Sequence, residues 1–125
     1  MNLTKAEEQV MKYLWSLEKA YLKNIVDEFP EPRPAVSTVA TLLKRIIDKG
    51  FVGYNQHGSN REYYPIIKKP EYFSKQVNSI IKDFFNNSAG QFASFITNET
   101  NLNITELEEL KESVEQKIKT QKKIK

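Results

Sequence analysis

Pro34-Ala35-Val36-Ser37-Thr38-Val39-Ala40-Thr41-Leu42-Leu43-Lys44-Arg45-Ile46-Ile47-Asp48-Lys49-Gly50 is a helix with two faces written into it. Proline is tolerated in a first helical turn, so the helix starts near Pro34 or Ala35. Gly50 suits a left-handed cap after Lys49. At about 100° per residue, Val36, Val39, Leu43, Ile46 and Ile47 gather on one side. Ser37, Thr41, Lys44, Arg45 and Asp48 gather on the other, with Thr38 at its edge. The pattern predicts one buried side and one free side rich in short hydroxyls and cations.

Upstream, Thr4 with Glu7 three residues later is a capping-box pattern. Val10, Met11, Leu14, Trp15 and Leu17 follow at helical spacing. A second helix is expected over about 21–29, with Leu22, Ile25, Val26 and Phe29 inward. Pro30, Pro32 and Pro34 stop it, because proline has no amide to donate and disfavours helix in the residue before it. Downstream, strand-like runs over 51–56 and 62–66 flank Gly58-Ser59-Asn60, which reads as a hairpin turn. Three short helices and then a hairpin is the order of a winged helix-turn-helix.

After Pro70, Phe73, Val77, Ile80, Ile81, Phe84 and Phe85 form a helical stripe over about 71–86. A shorter helix carries Phe92, Phe95 and Ile96 beyond Ser88-Ala89-Gly90. Thr105 and Glu108 form a second capping-box pattern, before Leu107, Leu110, Val114 and Ile118 at near-heptad spacing. A neutral helical segment of this length is too small for a core of its own. Burying its stripes against a second copy solves the problem, so a homodimer is expected. The fold class is therefore mainly α with a small β-hairpin. A winged helix-turn-helix domain over 1–69 precedes a helical dimerisation region over 70–125.

Charge is divided in the same way. The whole chain carries only +3, but residues 33–69 hold seven Lys or Arg against two acids. Residues 70–125 hold eight of each. A basic segment beside a neutral one fits a nucleic-acid-facing part and a part with another task. Cysteine is absent, which excludes disulfides, cysteine nucleophiles and cysteine-rich metal sites. No second histidine joins His57, so no metal and no cofactor is expected. A Ser-His-Asp set would have to recruit that histidine from an exposed hairpin, and no phosphate-cradling glycine loop exists, so an enzyme is not expected. No apolar run approaches a membrane span, and Met1 to Glu8 do not read as a signal peptide. A cytoplasmic protein without membrane contact follows.

The free face of the central helix carries the chemistry. Ser37, Thr38 and Thr41 are short enough to let a helix enter a major groove about 12 Å wide. Lys44 and Arg45, further along, can reach phosphates or a guanine edge. An ordinary solvated helix face would show the same residue types. The preceding helix, short connection and following hairpin favour double-stranded DNA as the partner. Arg61, beside the hairpin tip, is a candidate for backbone or minor-groove contact, or a charge that keeps a turn soluble.

Several runs in this order resemble the penicillinase-repressor (BlaI/MecI-type) family. They are Thr4-Lys5-Ala6-Glu7-Glu8-Gln9-Val10-Met11-Lys12-Tyr13-Leu14-Trp15, Ser37-Thr38-Val39-Ala40-Thr41-Leu42-Leu43-Lys44-Arg45-Ile46, Lys49-Gly50-Phe51-Val52 and Tyr63-Tyr64-Pro65. The resemblance implies a homodimer that binds a palindromic operator and represses genes, classically those of β-lactam resistance. It also implies a regulatory protease that cuts within an Asn-Phe pair in the dimerisation segment. The matching bond is Ser94–Phe95, with serine in place of asparagine. The copper-responsive branch uses a cysteine-rich C-terminal motif, which this chain lacks. Ala40 stands where relatives often carry a longer polar side chain, and Arg33-Pro34-Ala35 replaces their usual lead into the helix.

DNA contact is therefore expected from Ser37, Thr38, Thr41, Lys44, Arg45 and Arg61. Dimerisation is expected from Phe73, Val77, Ile80, Ile81, Phe84, Phe92, Phe95, Leu107, Leu110 and Val114. Two other readings stay open on sequence alone: a winged-helix protein-interaction module, and a small-molecule-responsive regulator with a ligand among the aromatic residues.

Overall fold

A computed structural model describes residues 3–124. Helix α1 spans Lys5–Leu17, strand β1 Ala20–Tyr21, helix α2 Leu22–Glu28 and helix α3 Val36–Asp48. Strands β2 (Val52–His57) and β3 (Asn60–Pro65) follow, then helices α4 (Lys69–Phe84), α5 (Ala89–Glu99) and α6 (Ile104–Ile124). The chain forms two compact units, Met1–Lys75 and Gln76–Lys125.

The first unit is built as the capping and apolar patterns require. The Thr4 hydroxyl accepts from the Glu7 amide at 3.2 Å, and Glu7 Oε1 accepts from the Thr4 amide at 2.8 Å. Val10, Met11 and Leu14 of α1, Ile25 of α2, and Val39, Leu43 and Ile46 of α3 are buried together. Val52, Tyr63, Ile67 and Tyr72 complete the core. Trp15 Nε1 donates to the Ile67 carbonyl at 2.9 Å, and its ring lies 5.7 Å from those of both Tyr72 and Phe73. The Tyr72 hydroxyl donates to Glu8 at 2.5 Å. These contacts seat the first turn of α4 on α1.

Helix α3 ends in a glycine-dependent cap. Gly50 has φ +84°, its amide donates to the Ile47 carbonyl at 2.9 Å, and the Phe51 amide donates to the Ile46 carbonyl at 3.1 Å. That pair of bonds is the Schellman arrangement, which satisfies two otherwise unpaired helix carbonyls. The hairpin turns through Gly58 and Ser59, with His57 opposite Asn60 and Gly58 at φ +62°. A positive φ at the first of two turn residues matches the twist of the strands it joins.

The structure departs from expectation at four places. Ala20–Tyr21 forms an edge strand, Ala20 opposite Tyr63 and Tyr21 opposite Glu62, giving a sheet ordered β1-β3-β2. Val36, placed inward by its periodicity, is 54% exposed, because it lies in the first turn of α3, beyond the packed part of the helix. Leu42 takes a buried position instead. The final helix is capped by Asn103 and Glu106, not Thr105 and Glu108. Glu106 N donates to Asn103 Oδ1 at 2.8 Å, and Asn103 N to Glu106 Oε1 at 3.1 Å.

The second unit has a different character. Among the described residues from 76 to 123 none is buried. Its packing centres on Phe85, whose ring lies 5.4 Å from those of Phe92 and Phe95. Asn86 and Asn87 adopt positive φ just after α4, and Asn87 N donates to the Ile81 carbonyl at 3.1 Å. Asparagine is the residue, after glycine, that most readily takes this left-handed turn.

Candidate nucleic-acid interface

Beyond its first turn, helix α3 divides by exposure. Val39, Leu43 and Ile46 are fully inside, while Ser37, Thr38, Thr41, Lys44 and Arg45 are all exposed. The structure thus brings these five residues onto one free face of one helix. Thr41 Oγ1 donates to the Ser37 carbonyl at 3.0 Å. That bond uses the hydroxyl proton and leaves an acceptor oxygen and a methyl group for any partner.

Arg61 sits within β3, opposite Gln56, and not at the very tip of the hairpin. Its guanidinium carbon lies 4.3 Å from the centroid of the Tyr54 ring. Stacking of this kind steadies a cation without neutralising it. Arg61 and Lys44 line one shallow cleft between α3 and the hairpin, with Ala40, Ile47, Asp48 and Tyr54. A second cleft places Arg61 beside Lys23, Asp27 and the exposed Val36. The wing cation is therefore held beside the free face of α3, and Tyr54 is the shelf that the sequence reading overlooked.

Two other basic residues have local tasks. Arg33 donates through Nε to the Phe29 carbonyl at 3.2 Å and through Nη2 to the Asp27 carbonyl at 3.3 Å. Its Nη1 meets Glu31 at 2.7 Å. It caps the end of α2 and fixes the turn that leads into α3. Lys49 Nζ lies 2.6 Å from Glu7 Oε1, and Glu7 is 1% exposed. Burial pushes the Glu7 carboxyl up, but the Lys49 ammonium and the Thr4 amide and hydroxyl outweigh it. They hold its pKa below the ordinary 4.5. His57 Nε2 lies 3.3 Å from Glu62 Oε1, so the lone histidine has a carboxylate neighbour on the wing.

The residues expected at a dimer interface are distributed over both units. Phe73 lies in the first, 39% exposed, against Trp15 and Tyr72. Val77, Ile80, Ile81 and Phe84 lie on α4, Phe92 and Phe95 on α5, and Leu107, Leu110 and Val114 on α6. Phe84 is 78% exposed, an unusual state for a phenylalanine in a folded chain. Ser94 and Phe95 are both exposed on α5, and the Ser94 carbonyl accepts from Thr97 Oγ1 at 3.1 Å. Among the described residues no group of three or more His, Cys, Asp or Glu could hold a metal ion. No helix among them is long and apolar enough to cross a membrane.

Comparison with known proteins adds the family. The chain is 26% identical over 120 residues to the methicillin resistance regulatory protein MecI of Mammaliicoccus sciuri, covering 93% of this chain and 95% of that protein. It is 25% identical over 116 residues to the penicillinase repressor of Bacillus licheniformis, covering 92% and 91%. A solved structure of a CopR repressor matches 54% of this chain and 100% of that chain, at 32% identity and a TM-score of 0.46. The family model described as penicillinase repressor matches residues 3–116. On that match, which takes in α1 to α5 and more than half of α6, the chain belongs to the penicillinase repressor family of transcriptional regulators.

Proposed function

We propose that this protein represses transcription by binding a palindromic operator as a homodimer in the cytoplasm. One observation carries the reading: Ser37, Thr38, Thr41, Lys44 and Arg45 share the exposed face of α3, with Asp48 the one acid at its end, while Val39, Leu43 and Ile46 on the opposite face are locked into the core. Helix α3 enters the major groove, where Ser37, Thr38 and Thr41 approach base edges. Lys44 and Arg45 supply phosphate or guanine contacts, and Arg61 supports them from the wing. Residues 1–69 carry this task, and residues 70–125 pair the subunits through the apolar stripes that the second unit leaves uncovered. An isologous pair of readers is the protein counterpart of an inverted DNA repeat.

Induction follows by cleavage of the Ser94–Phe95 bond by a regulatory protease. The bond lies in an exposed helix without a buried residue, so little packing opposes its unwinding into a protease cleft. Incubation with a protease that cuts a repressor of this family, followed by mass measurement of the fragments, tests this step. Fragments ending at Ser94 support it, and an intact chain under conditions that cut a relative refutes it.

The DNA-binding reading is tested by Arg45→Ala and Lys44→Ala. Each variant should keep its fold and lose operator affinity by roughly 1–3 kcal/mol if it meets a base, or reduce the salt slope by about one unit if it meets a phosphate. Unchanged affinity and slope in both folded variants would refute the assignment.

A further inference from the structure

Resting on the operator-binding reading above, we propose that Val36 selects thymine in each half-site, by packing its side chain on the 5-methyl group of that base. Val36 opens α3 and is 54% exposed, while Val39, three residues on, is fully buried. Ala35 is the N-cap residue, so the valine serves neither the cap nor the core cluster.

Its neighbours give it a direction. Val36, Ala40 and Lys44 follow at four-residue spacing and so lie along one side of the helix. Val36 lines a cleft with Lys23, Asp27 and Arg61, and Ala40 lines a second cleft with Lys44 and the same Arg61. An apolar pair thus sits on the wing side of α3, between cations of α2, of α3 itself and of the hairpin.

The first turn of a recognition helix is the part that meets base edges. Among the groups that base pairs show in the major groove, the thymine methyl is the apolar one. Valine and alanine carry no side-chain donor or acceptor, so a polar base edge set against them would lose water without gaining a partner. Lysine and arginine on either side suit the phosphates that flank such a base. The ligand that matches both the apolar spot and its cationic surround is a thymine within a duplex.

Exchange of deoxyuridine for thymidine removes the methyl group and leaves the pairing edge unchanged. The duplex that the full-length protein selects from a random pool is resynthesised with this exchange at one thymine position at a time, alike in both half-sites. The parent and Val36→Ala are compared on every duplex, with circular dichroism checking the fold. For the parent, exchange at one position should weaken binding about fourfold per half-site, the worth of one buried methyl. Val36→Ala should be indifferent to exchange at that position and keep the parent's salt slope, because no phosphate contact is touched. Val36→Ser is the second variant should alanine disturb the start of the helix. Equal sensitivity to the exchange in parent and folded variant would overturn the assignment to Val36. A selected repeat insensitive to exchange at every thymine, or lacking thymine, would overturn methyl reading while leaving operator binding intact. Recovery of no sequence from folded protein would overturn the operator reading itself.

Discussion

Lys49 Nζ reaches Glu7 Oε1 at 2.6 Å, tying the residue that ends α3 to the first turn of α1. Glu7 also closes the cap of its own helix through Thr4, so one buried carboxylate fixes both the start of α1 and the end of α3. Helix α3 is thereby held at its far end by a charge pair. Its near end is set by the α2 cap that Arg33 makes.

Lys49→Met should destabilise the fold by roughly 2 kcal/mol, because it strands a buried carboxylate. That is less than a fully buried pair would lose, since a quarter of Lys49 remains in water. Chemical denaturation of the full chain measures it, and a change below about 0.5 kcal/mol would show that the pair is dispensable.

The same pair gives stability a pH dependence of known sign. The folded pKa of Glu7 lies below its ordinary 4.5, so its contribution is fully present above that value. It is lost as pH falls through the lower folded value, where protonation dissolves the pair. Melting curves of the parent and Glu7→Gln should differ most at neutral pH and converge in acid. Parallel curves across the whole range would contradict this.

Gly50→Ala should cost about 1–2 kcal/mol, because alanine must adopt the left-handed φ of +84° that closes α3. Nothing lies within 4 Å of the added Cβ, so the penalty is conformational and not steric. Gly50→Asn, which tolerates that region better, should recover part of it. Equal stability of all three proteins would refute the assignment.

Tyr54→Leu should weaken DNA binding through Arg61, which loses the ring that steadies it 4.3 Å away. Arg61→Ala should weaken binding more. The double variant should match Arg61→Ala alone, since the tyrosine acts through the arginine. Additive losses in a double-mutant cycle would show that Tyr54 contributes on its own.

Local signals in the sequence were strong where neighbours a turn apart decide structure. The Thr4/Glu7 capping box, the proline stop after α2, the Gly50 cap and the Gly58 turn all formed where spacing placed them. The buried row of Val39, Leu43 and Ile46, and the exposed row opposite, followed from helical period alone. Contacts between distant residues were not legible. Glu7 reads as a cap residue, and nothing in its neighbourhood announces a lysine 42 residues away. Strand β1 is two residues long, too short for alternation to show, and exists because β3 offers it an edge. Asn103/Glu106 and Thr105/Glu108 fit the same pattern two residues apart, so spacing could not choose between them. Tyr54 looked like one more strand aromatic until the hairpin brought Arg61 over its ring.

Selection of bound sequences from a random duplex pool, at about 150 mM salt where purely electrostatic binding is weak, tests the central claim most directly. The account predicts recovery of an inverted repeat, with its half-sites spaced by one helical turn or a multiple of it. Recovery of no sequence at all, from protein shown to be folded and dimeric, would contradict it.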